Sequence, residues 1–194
     1  MTQDAERTLV FTELVGYGLR LRAWGKEDVP AVIRGLNDPE FRRWEWSEHE
    51  PVDEEGALEF VRARSRGWER GDLAQFCVED ADSGEVLGSI GLHKIEFARG
   101  VAGIGYWLLP EARGRGVVTR AVELCTRWGF SGLGLHRIEL GHAVSNEPSC
   151  RVAERCGYLF EGVARGGLPA LAPDTFHDMH SHARLATDPA PRLP

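Results

Sequence analysis

The chain has 194 residues, of which 42% are apolar and 27% are charged, and its formal net charge is −7. This size and balance predict one globular domain with a sizeable core, and the negative charge argues against a dedicated nucleic-acid binder. No apolar run approaches the length that spans a membrane, and the N-terminus lacks the basic-then-apolar pattern of a signal peptide.

The predicted elements alternate between strands and helices. Strands are predicted where apolar and polar residues alternate between turn residues, and helices where apolar residues recur every three or four positions. In chain order they are a strand at 14–24, helices at 27–36 and 53–70, strands at 73–78, 86–95 and 101–109, a helix from about 117, a strand at 137–144, a short helix capped by Asn146 or Ser145 that stops at Gly157, and strands at 158–163 and 176–185.

This order predicts a mixed α+β fold, with seven strands in a mostly antiparallel sheet and about four flanking helices. A single domain is expected over residues 9–187. Residues 1–8 and the proline-rich tail 188–194 are predicted to be disordered, and residues 166–173 to form a linker that is flexible by composition. The aromatic segment at residues 41–46 is expected to be a loop.

A glycine-rich turn at residues 113–116 joins the strand that ends near Leu109 to the helix that begins near Val117. Such a turn leaves several backbone N–H groups unpaired and converging at a helix start. These groups make an anion site that needs no side chain. The sequence therefore predicts a phosphate-binding turn at this point.

Three kinds of phosphate site have turns of this type. A Walker loop needs Gly-Lys-Ser or Gly-Lys-Thr, which the sequence lacks. A dinucleotide fingerprint needs a third glycine where Thr119 stands, although Glu139 is placed to imitate its ribose-binding acid. Pro110 and Glu111 also separate the strand from the glycines, and the second half of a doubly wound sheet is missing. The third alternative is the pyrophosphate turn of an acyl-CoA enzyme.

Three motifs resemble those of a known family. Arg113-Gly-Arg-Gly-Val-Val118 resembles the Arg/Gln-x-x-Gly-x-Gly/Ala turn of the GNAT N-acetyltransferases, and the preceding Gly-Tyr-Trp-Leu resembles their central bulged strand. Asn146-Glu-Pro-Ser149, followed by Arg-Val-Ala-Glu-Arg-Cys-Gly-Tyr158, resembles their fourth-helix motif. The most similar branch is the ribosomal-protein N-terminal acetyltransferases (RimJ/RimL-like). The resemblance implies the GNAT acyl-CoA N-acyltransferase fold and acetyl-CoA as co-substrate.

The resemblance also implies which residues hold acetyl-CoA. The turn would bind the pyrophosphate through backbone N–H groups, and the edge of the preceding strand would pair with the pantetheine amides. An oxyanion donor is implied among the backbone N–H groups near Trp107 or Leu108. Val118 stands where the family has Gly or Ala, and its branched side chain could crowd the phosphates, although the contact itself uses backbone N–H groups. The implied set is Trp107, Leu108, Leu109, Arg113, Gly114, Arg115, Gly116, Val117, Val118, Thr119, Asn146 and Ser149.

The groups for proton transfer depart from the family pattern. Many relatives have Glu at the position of Gly103. Many also have, at the position of Ala153, a Tyr that acts as the acid for the departing thiolate. In the RimL-like branch, a Ser three residues after the Asn acts as the acid for the departing thiolate. Ser149 corresponds to this residue. The predicted catalytic residues are Ser149, Asn146 and Tyr106. The remaining base candidates are His93, Glu96, Tyr106 and His142.

The missing carboxylate bears on the acceptor. At pH 7.5 roughly a quarter of α-amines, with a pKa near 8, are neutral, against about one in a thousand lysines, with a pKa near 10.4. A site with a weak base therefore favours an α-amine. The residues predicted to bind the acceptor are His93, Trp44 and Trp46, and the two tryptophans are either an aromatic platform or anchors of a buried loop.

No metal site is expected. His180 and His182 share a face of the last predicted strand, but His177 lies on the other face, and no further ligand set with familiar spacing accompanies them. The cysteines show no Cys-x-x-Cys spacing and are interpreted as reduced packing residues of a cytoplasmic protein. They are Cys77, Cys125, Cys150 and Cys156.

Together the patterns and the resemblance predict an acetyl-CoA-dependent N-acetyltransferase that acts on the N-terminal α-amine of a protein or peptide. Neither nucleic acid nor a membrane is an expected partner, and a homodimer is left open. A small-molecule amine acetyltransferase is the first alternative. An acyl-CoA-binding protein that has lost catalysis is the second, because Gly103 and Ala153 replace two groups that many relatives use.

Overall fold

The computed structural model describes residues 9–44, 51–170 and 175–191. Its strands are β1 (Leu14–Gly16), β2 (Leu19–Arg22), β3 (Leu73–Asp80), β4 (Val86–Glu96), β5 (Val101–Leu108), β6 (Arg137–Ala143), β7 (Leu159–Pro169) and β8 (Phe176–Leu185). Its α-helices are α1 (Val29–Leu36), α2 (Pro39–Trp44), α3 (Glu54–Arg70), α4 (Val117–Ser131) and α5 (Glu147–Arg155). None of these described helices is long and apolar enough to cross a membrane.

The eight strands form one mixed sheet in the order β1-β2-β3-β4-β5-β6-β8-β7. Neighbouring strands are antiparallel except β5 and β6, which run parallel and are connected through α4. The predicted mixed α+β class is confirmed. The disorder predicted for residues 1–8 and for the end of the tail lies outside the described residues, and so does part of the predicted linker.

The sheet has one strand more than predicted, because the first predicted strand folds back on itself. Tyr17 (φ 55°) and Gly18 (φ 71°) both adopt the left-handed conformation. A two-residue hairpin turn of the primed type requires this conformation at both central positions. Gly16 then pairs with Leu19 in an antiparallel register, so that one alternating segment becomes β1 and β2.

Helix α2 occupies the first part of the predicted aromatic loop. The Asp38 carboxylate accepts a hydrogen bond from the N–H of Phe41 at 3.0 Å. Pro39 fills the first helical position, where no N–H is needed. The Asn-Asp-Pro run that ends α1 therefore also starts α2. Trp46, the second tryptophan predicted to contact the acceptor, lies outside the described residues.

Strand β7 runs further than predicted and includes the first residues of the expected linker. Leu168 pairs with His177 and Pro169 with Phe176, so that β7 and β8 form a long hairpin at the edge of the sheet. Two register shifts along β7 bend this hairpin. Its far end places Leu168 and His177 among the residues that line the cleft described below.

Two hydrophobic clusters pack on opposite faces of the sheet. Phe76 and Val78 of β3 belong to the cluster that includes residues of α4 and α5, whereas Cys77 belongs to the cluster that includes residues of α1. This alternation is what a strand buried on both faces requires. A buried ion pair between Arg184 Nη1 and Glu123 Oε2, at 2.5 Å, joins β8 to α4.

Candidate active site

A gap opens between β5 and β6 in the middle of the sheet. The two parallel strands pair only from Val101 to Gly103 on β5, although β5 continues to Leu108 and β6 to Ala143. Within the described part of the chain, the later residues of β5 and β6 therefore lack a partner strand on the side of the gap. A cleft of about 1300 Å³ opens here, and residues from both faces of the sheet line it.

Alternate residues of β5 direct their backbone groups into the gap. Leu109 donates its N–H to the carbonyl oxygen of Leu87 at 2.9 Å, on the side of β4. The carbonyl oxygen of Leu108 faces the other way and accepts a hydrogen bond from Arg113 Nη2 at 2.9 Å. Because backbone groups alternate along a strand, Leu108 directs its N–H into the gap and Trp107 directs its N–H to β4. Of the two expected oxyanion donors, Leu108 has the better orientation.

The glycine-rich turn lies at the start of α4. Gly114 (φ 70°) and Gly116 (φ 69°) adopt the left-handed conformation that other residues rarely take. The first backbone hydrogen bond of the helix runs from the N–H of Arg120 to the carbonyl of Gly116 at 3.2 Å. Among the described residues, none accepts a hydrogen bond from the N–H groups of residues 114–119. These donors converge at a helix N-terminus, which is an arrangement that binds a pyrophosphate.

The side chains of the turn leave these backbone donors open. Val118 packs against the hydrophobic cluster that includes residues of α4 and also lines the cleft. The guanidinium of Arg113 pairs with the Asp38 carboxylate, which ties the turn to the start of α2. Arg115 is exposed. Arg113 therefore positions the turn, and Arg115 offers a charge to an anion.

The His93 imidazole occupies the space above Gly103. The two residues are directly opposite in the β4–β5 register. A Cβ atom at position 103 would lie 2.4 Å from His93 Cε1 and 2.8 Å from Nε2, far inside van der Waals contact. The ring also extends over Gly105, where a Cβ would lie 3.6 Å from Cδ2. The histidine therefore fills the volume into which the Glu expected from the family would project.

His93 has the protonation state of a base. Burial lowers the pKa of His93 from its ordinary value of 6.5, and the charge of Lys94 lowers it further. The ring is therefore neutral at neutral pH and has a lone pair that can accept a proton. No residue of the described part of the chain forms a hydrogen bond with either ring nitrogen, so both are accessible to an acceptor.

The opposite face of β5 carries Tyr106, beside Ser149. Burial raises the pKa of Tyr106 to about 12, and the neighbouring Ser149 hydroxyl opposes this rise. Among the described residues the Tyr106 hydroxyl has no hydrogen-bond partner. Tyr106 therefore keeps its proton near neutral pH and is suited to donate rather than to accept one.

Asn146 fixes the position of Ser149. Its Oδ1 accepts a hydrogen bond from the N–H of Ser149 at 3.2 Å, which caps α5. Both residues line the cleft together with Tyr106. The structure thus brings the three predicted catalytic residues to one face of the gap, and places His93 on the other.

The other base candidates are less suitable. Glu96 is exposed and pairs with Arg99 at 3.1 Å. His142 is buried, and its Nδ1 lies 2.9 Å from the carbonyl oxygen of Ala143. Among the candidates, His93 combines a neutral ring, access to the cleft and a position above Gly103.

Trp44 also lines the cleft. Its Nε1 donates to Glu40 at 3.0 Å, and its ring centroid lies 6.4 Å from that of His177 on β8. The Arg43 guanidinium covers one side of the ring at 4.8 Å. Trp44 is partly exposed, so it has the surroundings of a platform rather than those of a buried anchor.

A family model for the acetyltransferase (GNAT) domain matches residues 18–159. The match covers most of the chain and includes the diverging strands, the glycine-rich turn and α5. The chain belongs to the GNAT family of acetyltransferases. The resemblance to GNAT N-acetyltransferases is therefore confirmed, and acetyl-CoA is the acyl donor that this family uses.

Curated relatives of this GNAT protein act on different amines. YdaF of Bacillus subtilis (strain 168), provisionally named a ribosomal N-acetyltransferase, is 41% identical over 85 residues, or 44% of this chain and 46% of YdaF. The ribosomal-protein-serine acetyltransferase of Escherichia coli (strain K12) is 29% identical over 153 residues, 78% of each chain. The spermidine N(1)-acetyltransferase of the same strain is 27% identical over 146 residues, 75% of each chain. The match to YdaF spans about half the length of that relative.

Solved GNAT structures share the architecture. Mycobacterium smegmatis RimJ in complex with CoA-disulfide matches with a TM-score of 0.80 and 23% identity, over 91% of this chain and 87% of RimJ. At this identity the similarity shows a common fold. The acceptor has to be inferred from the residues that line the cleft.

The cleft of this GNAT domain has more basic than acidic side chains. Its described lining includes seven Arg or Lys residues and four Glu residues. Three of these carboxylates form ion pairs with arginines, whereas Glu40 accepts its hydrogen bond from an uncharged indole and keeps its negative charge. The four are Glu40, Glu96, Glu139 and Glu161, and their partners are Trp44, Arg99 and, for the last two, Arg137.

Two groupings of side chains in this GNAT domain depend on contacts between residues that are distant in the sequence. His93 meets Gly103 through the β4–β5 register, and pairing the two predicted strands across their turn at 97–100 would have indicated it. Beside Ser149, side chains from β6, α5 and β8 form a cluster that could hold a metal ion. They are His142, Cys150, His180 and His182.

Proposed function

We propose that this GNAT enzyme transfers the acetyl group of acetyl-CoA to the N-terminal α-amine of a protein or peptide. The observation that carries the proposal is the neutral His93 ring above Gly103, where a carboxylate would otherwise stand. A neutral imidazole is a weak base, which suits an amine with a pKa near 8 better than a lysine with a pKa near 10.4.

The backbone would provide most of the contacts with the donor. The pyrophosphate would bind the N–H groups of residues 114–119, where Gly114 and Gly116 keep the turn open. The pantetheine arm would pair with the free edge of β5, as an added strand does. The N–H of Leu108 would then stabilise the negative charge that develops on the thioester oxygen.

Proton transfer would use the two faces of β5 separately. As the amine nitrogen bonds to the acetyl carbon, His93 accepts the proton that the amine loses. The carbon–sulfur bond then breaks on the other face, where the Ser149 hydroxyl, beside Tyr106, donates a hydrogen bond to the departing thiolate. One proton thus passes from the amine to His93 on one face, and the thiolate leaves on the other face with a hydrogen bond from Ser149.

A small-molecule amine is the second candidate, because a spermidine acetyltransferase is among the relatives. A polyamine carries several positive charges and needs acidic partners. The described lining of this cleft has seven Arg or Lys residues against four Glu residues, and arginines hold three of those four carboxylates in ion pairs, which leaves Glu40 as the one carboxylate of the lining without an ion pair. This charge distribution favours a peptide over a polyamine.

The acceptor can be tested by free-thiol release from acetyl-CoA with three amines at pH 7.5. These are a peptide with a free N-terminus, the same peptide N-terminally blocked and carrying one lysine, and spermidine. From the neutral fractions alone, the free N-terminus should have a kcat/KM about 200-fold above that of the lysine. A blocked lysine peptide or spermidine that reacts faster would overturn the α-amine proposal. Acetyl-CoA binding without turnover of any amine would instead support the alternative of lost catalysis.

A further inference from the structure

Four side chains with metal-binding atoms converge next to α5. His142 comes from β6, Cys150 from the middle of α5, and His180 and His182 from β8. One nitrogen or sulfur atom of each lies within 4.8 Å of those of the others. His142 and His182 are buried, and the β6–β8 register sets His142 opposite His180. The cluster therefore depends on tertiary structure and has no local sequence motif.

The hydrogen bonds of two histidines leave their other nitrogens facing each other. His142 Nδ1 lies 2.9 Å from the carbonyl oxygen of Ala143, and His182 Nδ1 lies 3.3 Å from that of Tyr158. A carbonyl oxygen only accepts hydrogen bonds, so each Nδ1 carries its proton. In a neutral ring the Nε2 atom then carries a lone pair. The two Nε2 atoms are 3.3 Å apart, so in the neutral rings two lone pairs face each other, and either a proton or a metal ion between them removes the repulsion.

The separation of these nitrogens matches tetrahedral coordination. Two nitrogens at 2.0–2.1 Å from a tetrahedral ion lie about 3.3 Å apart. Metal-bound histidines commonly donate their second N–H to a backbone carbonyl, as His142 and His182 do. His180 adds a buried Nδ1 that has no hydrogen-bond partner among the described residues. Cys150 completes a set of four, and three imidazoles with one thiolate suit Zn²⁺.

We propose that His142, Cys150, His180 and His182 form a closed tetrahedral site for Zn²⁺. All four positions are occupied by protein ligands, which is typical of a structural ion rather than of one that activates water. The ion would replace the thiol proton of Cys150, which is released on binding. It would fasten α5 to β6 and β8 and so hold Ser149 at the gap. This proposal replaces the expectation that the chain binds no metal, and it does not depend on the identity of the acceptor.

Cobalt is the probe that tests the site, because tetrahedral Co²⁺ is coloured and can be displaced by zinc. Metal-free protein titrated with Co²⁺ should show visible d–d bands and a near-ultraviolet thiolate-to-cobalt band, both saturating at one equivalent. Zn²⁺ should abolish both bands. Cys150→Ser should lose the thiolate band. His182→Ala should weaken binding by more than the roughly 10–100-fold that losing an outer-shell partner costs.

His136→Ala provides the matched control, because His136 is exposed and lies outside the cluster. It should leave the cobalt spectrum unchanged. The proposal would be overturned by a wild-type spectrum without a thiolate band, or by equal cobalt affinity in the wild type and in His182→Ala. The thermal midpoint of the wild type should also rise with one equivalent of Zn²⁺ and return with a chelator, and this readout needs no variant that might misfold. A midpoint that zinc does not move would contradict the site.

Discussion

Exchanging the roles of positions 93 and 103 tests whether His93 is the base. His93→Ala removes the imidazole and opens the space above Gly103. Loss of a general base typically costs 10²–10⁴-fold in rate. We expect about 10²-fold for an α-amine acceptor, because roughly a quarter of it is already neutral at pH 7.5. Turnover is measured by thiol release at saturating acetyl-CoA.

Gly103→Glu has opposite effects in the two backgrounds. In the wild type the new Cβ would lie 2.4 Å from the His93 ring, so the ring is displaced and activity falls. Overpacking of this kind typically costs about 1–3 kcal/mol of stability. In the His93→Ala background the space is free, and the carboxylate can take the proton. The double variant should recover at least about tenfold over His93→Ala, or about 1.4 kcal/mol of barrier.

The matched control is Gly103→Gln in the His93→Ala background. Glutamine has nearly the same size as glutamate but has no basic carboxylate. It should not recover activity. Equal rates for the Glu and Gln double variants would refute the reasoning. Wild-type turnover in His93→Ala would refute it more directly, since proton removal would then need neither side chain.

Four further predictions address the donor, the leaving group, pH and stability. Gly116→Asp should weaken acetyl-CoA binding, measured by calorimetry, at least tenfold more than Gly116→Asn does. Both residues tolerate the left-handed conformation of the turn, but only Asp repels the phosphates. Equal affinities of the two variants would show that the turn does not bind the phosphates. Ser149→Ala should lower kcat more than it raises the KM for acetyl-CoA, and a pure KM effect would reassign Ser149 to anchoring. With saturating acceptor, kcat should fall below pH 6.5, because the pKa of His93 is lowered from 6.5. His93→Ala should abolish this acid limb, and a limb retained in that variant would belong to another group. Glu123→Ala should lower the free energy of unfolding by about 3–5 kcal/mol in denaturant, because Arg184 is left buried without the carboxylate of its ion pair. A decrease of less than about 1 kcal/mol would contradict this expectation.

Local features of the fold were predictable because their causes are local. The glycine-rich turn, the cap at Asn146 and the end of α5 before Gly157 depend on residues within a few positions, and the structure has each of them. The predicted first strand became a hairpin because Tyr17 adopts a left-handed conformation, which a tyrosine rarely does. No alternation pattern signals that turn.

Long-range features of the candidate site were less accessible. The sequence indicates His93 as a base candidate and has glycine instead of a carboxylate at position 103. Only the strand register shows that the His93 imidazole takes the place of that carboxylate. His180 and His182 were likewise recognised as sharing a face, while His142 and Cys150 join them only after β6, α5 and β8 pack together. Side chains that meet across a sheet have no fixed spacing in sequence, and for that reason motif searches miss them.

One competition experiment tests the α-amine proposal most directly. A single peptide that carries both a free N-terminus and an internal lysine is incubated with enzyme and acetyl-CoA at pH 7.5, and tandem mass spectrometry locates the acetyl group after subtraction of the enzyme-free reaction. Both amines then meet the same cleft at the same concentration. We predict acetylation at the N-terminal nitrogen, with the lysine modified at roughly one part in a hundred or less. An acetyl group found mainly on the lysine would contradict the proposed function.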